Sequence, residues 1–373
     1  MNMIRENPST KVSLIQEKIN ESYAKLSSWL KHMQNHSPGS YFQLLHDDFI
    51  VGNRVSREHR QFHRVFWTFG QCKEAFKYCK PIIQVDDTHL YGKYRGTLLM
   101  TTSQDGNGGI LPLAFVVVEV ETLTAWSWFL AHLHEHVTDK NDICLISDRH
   151  ASYTPCKHTF DQNLENFRQL RLAIATWIDR ISKEKWTMTY DKEGRRYDHM
   201  TTNLSECVNK VLKDYHNIPI TALVKSTYNR CRKYFVDRGR QVPRQLNEGQ
   251  NFEKIKNKFV RTSFASMIST QQGLKWAVNL NDHYCQCGKY SALHYPCSHI
   301  ISACGYVSIN YFQYIDVVYT NEHILKAYST QWWPLGNETT IPPSDDSWTL
   351  IPDPTTIRVK GRPKSTRIRN EMD

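Results

Sequence analysis

An α/β core built on a mixed sheet, continued by helices and followed by a small zinc-binding module, is the fold class this sequence predicts. Three observations carry it. Apolar β-type runs separated by turn residues occupy 82–148, with one amphipathic helix among them. Helical periodicity takes over from 161 to 235. Three cysteines and a histidine then fall at paired spacing between 285 and 299.

Residues 21–35 put Tyr23, Leu26, Trp29, Leu30 and Met33 at helical spacing, and Ser37-Pro38-Gly39-Ser40 breaks that helix. Residues 42–78 alternate short apolar runs with basic loops. Ile82 to Asp86 reads as a buried strand that ends in an acid. Gly96 to Thr102 reads as a second strand, Asp105-Gly106-Asn107-Gly108-Gly109 as a hairpin turn, and Ile110 to Val118 as a third strand. Thr122 to Ala125 start a helix with Trp126, Phe129, Leu130 and Leu133 on one face. Ile143 to Asp148 is a fourth strand, again ending in an acid. Three strands, a helix and a strand, with acids closing the first and the fourth, describe a ribonuclease-H-like half-sheet. Beyond it, Leu164, Phe167, Leu170, Ile174, Trp177 and Ile178 recur at helical steps, with further helical runs at 202–216 and 219–238. We therefore divide the chain into a lead-in (1–80), a core (81–240), linker helices with a zinc module near 283–303 (241–335), and a disordered basic tail (336–373).

A length of 373 residues suits two domains of about 150 residues each. Residues 1–20 lack the apolar core of a signal peptide, and no run of about 18 apolar residues is free of charge. We expect the chain to stay inside the cell and off the membrane. Ten cysteines in that setting argue against disulfides, and six of them are scattered as small apolar groups. A net charge of +10 suits a polyanion, nucleic acid being the commonest, although it also serves plain solubility. Residues 225–261 hold eleven Lys or Arg against three acids.

Two strand-end acids and a later helical Glu are what two-metal phosphoryl chemistry needs. Mg²⁺ prefers carboxylate oxygens, and two ions about 3.5–4 Å apart clamp the attacking and leaving oxygens of an in-line displacement. Asp86 and Asp148 fit the first two roles, and Glu206, in a helical run, fits the third. Each acid alone is equally an ordinary exposed side chain; His89 and Arg149-His150 beside the strand-end acids strengthen the set.

These residues resemble the Mutator-like element transposases of plants. The resemblance rests on Gln84-Val85-Asp86-Asp87-Thr88-His89-Leu90-Tyr91-Gly92-Lys93-Tyr94, Asp105-Gly106-Asn107, Pro112-Leu113-Ala114-Phe115, Trp126-Ser127-Trp128-Phe129, Ile146-Ser147-Asp148-Arg149-His150, and Lys185-Trp186 through Thr201-Thr202-Asn203. It runs from about residue 21 to 335. It implies a ribonuclease-H-like core, Mg²⁺, cut-and-paste chemistry on DNA, and Asp86, Asp148 and Glu206 as the triad. Three departures stand out. Asp87 occupies the place of a glycine, adding repulsion and a side chain where backbone may approach closely. Val120 stands where a glycine is expected, so a tight turn there is expected to be strained. Only 57 residues separate Asp148 from Glu206, and the family's Cys-x-x-His segment is missing. Cys156 and His158 lie nearby, but we read them as incidental. A misplacement of about 1 Å can cost about 10²-fold in rate, so we expect a core that no longer cuts DNA. A similar junction lies near Ile19-Asn20-Glu21, where further N-terminal modules of the family would be expected. The rival reading is a domesticated, non-catalytic DNA-binding transcriptional regulator.

Cys285-Gln286-Cys287, nine residues, and Cys297-Ser298-His299 offer three thiolates and an imidazole, the donor set of a closed structural Zn²⁺ site. With so little local core, zinc is expected to drive folding of this module. The short pattern and the apolar helix after it resemble a SWIM finger, whose partner, DNA or protein, the residues leave open. Cys304 is expected to be a packing residue. Six basic residues between Arg358 and Arg369, without an acid, fit a minor-groove hook around Gly361-Arg362-Pro363 or a nuclear import signal. DNA is the expected partner and the nucleus the expected location. A homo-oligomer stays open, and neither a membrane nor a small-molecule substrate is expected.

Overall fold

The first strongly periodic segment does what its spacing implies. In the computed structural model, helix α1 (Leu26–His36) buries Leu26, Trp29, Leu30 and Met33 on one stripe and ends before Gly39, whose φ of 79° turns the chain. The structure describes residues 17, 20–90, 96–138, 143–147, 165, 218–247, 277–285, 290, 294–336, 341–343 and 346–356. Asp148, Glu206, Cys287, Cys156, His158, the motif from Lys185 to Asn203 and the basic residues from Arg358 onward lie outside these.

The chain next forms β1 (Tyr41–Val51), β2 (Arg54–Thr68) and helix α2 (Gly70–Phe76), where alternating runs and loops were expected. The difference has a physical cause. β1 lies at the edge of the sheet, and half-exposed polar and charged positions interrupt the apolar signal of both strands. β3 (Ile82–His89), β4 (Thr97–Gln104) and β5 (Ile110–Val118) follow, nearly all buried. β3 runs past Asp86, where an end was expected, for three more residues. Helix α3 (Leu123–His136) starts at Thr122, whose side chain accepts a hydrogen bond from Ala125 N. β6 is Cys144–Ser147.

These strands make one mixed sheet in the order β1-β2-β5-β4-β3-β6. Only the β3–β6 pair of that path is parallel; β9 (Thr349–Ile351) adds a second parallel pair along β2. β9 lies in the stretch expected to be a disordered tail. Leu350 is buried there, so its docking onto His59–Gln61 overrides the polar, Pro-rich surroundings. Helix α4 (Ile220–Asn247) is longer than its periodicity implied and carries Pro243 inside it. Among the described residues, no helix is long and apolar enough to cross a membrane.

The two sheet faces are set by register. Asp86 pairs with Met100, Met100 with Phe115, and Phe115 with Trp67. Trp67 stacks on Phe115 and donates its indole N–H to Thr227 Oγ1 at 3.0 Å, which puts α4 on this face. Asp87, Leu99, Val116 and Phe66 share the other face, and Phe66 meets His132 of α3 there. One core cluster joins Tyr23 and α1, both faces of the central strands, α4, Tyr328 and Leu350. Each large apolar side chain in it contributes roughly 1.5–3 kcal/mol.

The hairpin between β4 and β5 holds the C-terminal half in place. Gly108 has a φ of 81°, and Gly109 N donates to Asp105 Oδ1 at 2.6 Å. Tyr328 Oη donates to Asp105 Oδ2 at 2.7 Å, and Arg238 of α4 lies 3.8 Å from the same oxygen. A side chain at Gly106 would sit 1.9 Å from Val318 O, so only glycine lets the segment pack so closely. Tyr328→Phe leaves a buried carboxylate one donor short, and should lower stability by about 1–3 kcal/mol in urea unfolding. An unchanged midpoint and slope would refute this role for the hydroxyl.

Candidate functional site

Three of the four expected zinc ligands, Cys285, Cys297 and His299, come together. β7 (Val278–Asn279) and β8 (Tyr284–Cys285) form a short hairpin whose turn is closed by Asn279 Oδ1, which accepts from Asn281 N and Asp282 N. It delivers Cys285 at its end. Helix α5 (Ser298–Tyr306) begins directly after Cys297, so Cys297 and His299 flank the helix start. The positive end of the helix dipole there favours a negatively charged sulfur. Cys285 Sγ lies 3.6 Å and Cys297 Sγ 4.0 Å from His299 Nδ1. Zn–S bonds of about 2.3 Å and Zn–N bonds of about 2.0–2.1 Å in a tetrahedron separate such ligands by about 3.6 Å. The geometry thus fits Zn²⁺ with three of the four expected ligands; the fourth, Cys287, lies outside the described residues.

Cys285, Tyr290, Cys297, Ile300, Cys304 and Tyr314 form a separate small core. Cys304 is buried in it, and burial pushes its thiol pKa up, as befits a packing residue. Tyr290 Oη donates to Tyr314 O at 3.2 Å and meets His283 Nδ1 at 2.8 Å. His294 has a φ of 56°, and burial lowers its pKa.

Of the expected triad, Asp86 is the member within the described residues. It is 8% exposed, in the interior of β3 and on the α4 face. The pairing of Val85 with Ser147 carries parallel β6 to the residue before Asp148.

On the opposite face, two acids and a histidine from separate parts of the chain come together. Asp87, His89 and Glu121 each bring one donor atom within 4.8 Å of the others. Burial and then the hydrogen bond and charge of Asp87 raise the Glu121 pKa to about 8. Next to it, burial of Glu119 is outweighed by the Arg64 guanidinium, which binds both carboxylate oxygens and lowers its pKa. The strain expected at Val120 is absent: the described non-glycine residues with positive φ are His283, His294 and Ser308. Strand alternation could have paired Asp87 with His89, but nothing in the spacing points to Glu121, which arrives from the β5–α3 connection.

Residues 82–158 match the family model of the MULE transposase domain, and residues 270–308 match that of the SWIM zinc finger. No curated protein and no solved structure matches the chain. The first match spans β3 to β6 and includes Asp86; the second contains Cys285, Cys287, Cys297 and His299.

The purified chain should carry about one tightly held zinc. Cys297→Ser should abolish it, and Co²⁺ exchanged into the native protein should show thiolate-to-metal absorption that this variant lacks. Zinc retained in full by Cys297→Ser would contradict the ligand set.

Proposed function

We propose, for a chain that carries a MULE transposase domain and a SWIM zinc finger, that it is a DNA-binding descendant of a two-metal transposase that no longer cuts DNA. In this reading the core is ribonuclease-H-like, and Asp86, Asp148 and Glu206 are the ancestral acids that would hold Mg²⁺. Such ions, when bound, stabilise charge on the attacking and leaving oxygens of a phosphodiester. Loss of cutting is supported by the setting of Asp86, buried within β3 rather than open at a strand end, and by the short stretch between Asp148 and Glu206.

The observation that carries DNA binding is the exposed face of α4. Asn229, Lys233, Val236, Arg240 and Arg244 are exposed at steps of three and four residues, so three cations share one stripe. Phosphates are the natural partner of such a stripe, whatever the base sequence. Zinc on Cys285, Cys287, Cys297 and His299 would keep the C-terminal module folded. The cations from Arg358 to Arg369 fit nuclear import, so the nucleus is the site of action in this reading. The spacing of Cys285, Cys297 and His299, together with the burial of Asp86 elsewhere in the chain, also fits the second reading, a domesticated transcriptional regulator that keeps binding surfaces and dispenses with chemistry.

Duplex DNA should bind with salt-sensitive affinity that survives Asp86→Ala. The triple change Lys233→Ala, Arg240→Ala, Arg244→Ala should flatten the slope of log K against log salt by about 2–3 units, each lost phosphate contact counting for about 0.9. An unaltered slope would remove α4 from the interface. Supercoiled plasmid should stay intact with Mg²⁺ or Mn²⁺; nicking that Asp86→Ala abolishes would show a working transposase instead.

A further inference from the structure

Asp87 and His89 are two residues apart on β3, so their side chains leave the sheet on the same face, the one covered by α3. Glu121 comes from the connection between β5 and α3 and meets them there. The three donor atoms lie within 4.8 Å of one another, close enough for small rotamer changes to bring all of them onto one ion. Asp87 and Glu121 are half-buried, where two carboxylates repel strongly, whereas His89 is exposed and leaves a path from solvent. Asp86 points to the opposite face and takes no part.

We propose that Asp87, His89 and Glu121 form a binding site for a divalent transition-metal ion of the Mn²⁺ or Zn²⁺ type, separate from both the cysteine site and the Asp86 site. One imidazole and two carboxylates make a mixed nitrogen and oxygen set. Imidazole favours such ions over Mg²⁺, which prefers oxygen ligands and water. Three protein ligands leave coordination positions open to water. A dication would offset the repulsion between the two carboxylates, and would tie the end of β3 to the start of α3. Thr97 Oγ1, 3.4 Å from His89 Nδ1, helps to fix the orientation of the ring.

The test uses the full chain with zinc in its cysteine site and Mn²⁺ as the probe, counted by its electron paramagnetic resonance signal. Wild type should bind one Mn²⁺ more than His89→Ala and Glu121→Gln, or bind it at least about tenfold more tightly. His89 is exposed, so His89→Ala should keep its fold, which circular dichroism verifies. Mn²⁺ should also raise the melting temperature of wild type and of Cys297→Ser but not of His89→Ala. Equal Mn²⁺ binding by wild type, His89→Ala and Glu121→Gln overturns the site, as does binding lost only in Asp86→Asn. Failure of this test leaves the DNA-binding reading untouched, because that reading is measured by salt-dependent affinity.

Discussion

A carboxylate taken out of water must be met by donors, and Asp105, 2% exposed, is the place where this fold meets that demand from three parts of the chain. Gly109 supplies a backbone N–H from its own hairpin, Tyr328 a hydroxyl from the end of helix α6 (Asn321–Ala327), and Arg238 a charge from α4. Burial and Asp105 together hold the Tyr328 hydroxyl protonated far above its usual range. Burial works against the Arg238 charge, but Tyr328 and Asp105 restore it and raise its pKa. No member of the group is well placed without the others. The cost of burying each polar group is offset by its partners, so the hairpin, α4 and α6 are positioned together.

That linkage reaches the zinc module. Asp316 N donates to His294 O, and Tyr295, Ile315, Val318 and Tyr319 form a small apolar cluster beside the ligands. The next contact is Gly106 against Val318, one residue from Asp105. Lys80 lies over the Tyr319 ring, at 5.4 Å from its centroid. The segment after α5 is therefore packed on one side against the zinc ligands and on the other against the central sheet. Its own apolar content is small, so its shape depends on both neighbours. A metal that fixes the ligands also fixes one wall of the hairpin's docking surface.

How legible all this was depends on how strongly burial marks a segment. β3, β4 and β5 are covered on both faces, so their sequences are continuous apolar runs. α1 shows its stripe for the same reason. β1 and β2 carry His46, Asp47, Asp48 and Arg60 on half-exposed stretches, and an edge strand facing water leaves little apolar signal. The gathering of Cys285, Cys297 and His299 was readable because metal chemistry demands specific residue types at close spacing. Asp105, Arg238 and Tyr328 were not, since they meet only after folding and each has an ordinary solvated alternative. The Asp87–Glu121 contact was hidden in the same way.

The chain replaces an expected glycine with Asp87, and pleating decides what that substitution does. Side chains of neighbouring strand residues leave on opposite faces, so Asp87 projects away from the α4 face on which Asp86 lies. It neither fills space next to Asp86 nor places a second carboxylate beside it on that face. The repulsion expected between Asp86 and its neighbour falls instead on Glu121, whose pKa rises to about 8 as burial and Asp87 oppose its ionisation. The electrostatic consequence of one altered position is therefore displaced across the thickness of the sheet. Asp87 by itself leaves the surroundings of Asp86 on the α4 face unaltered.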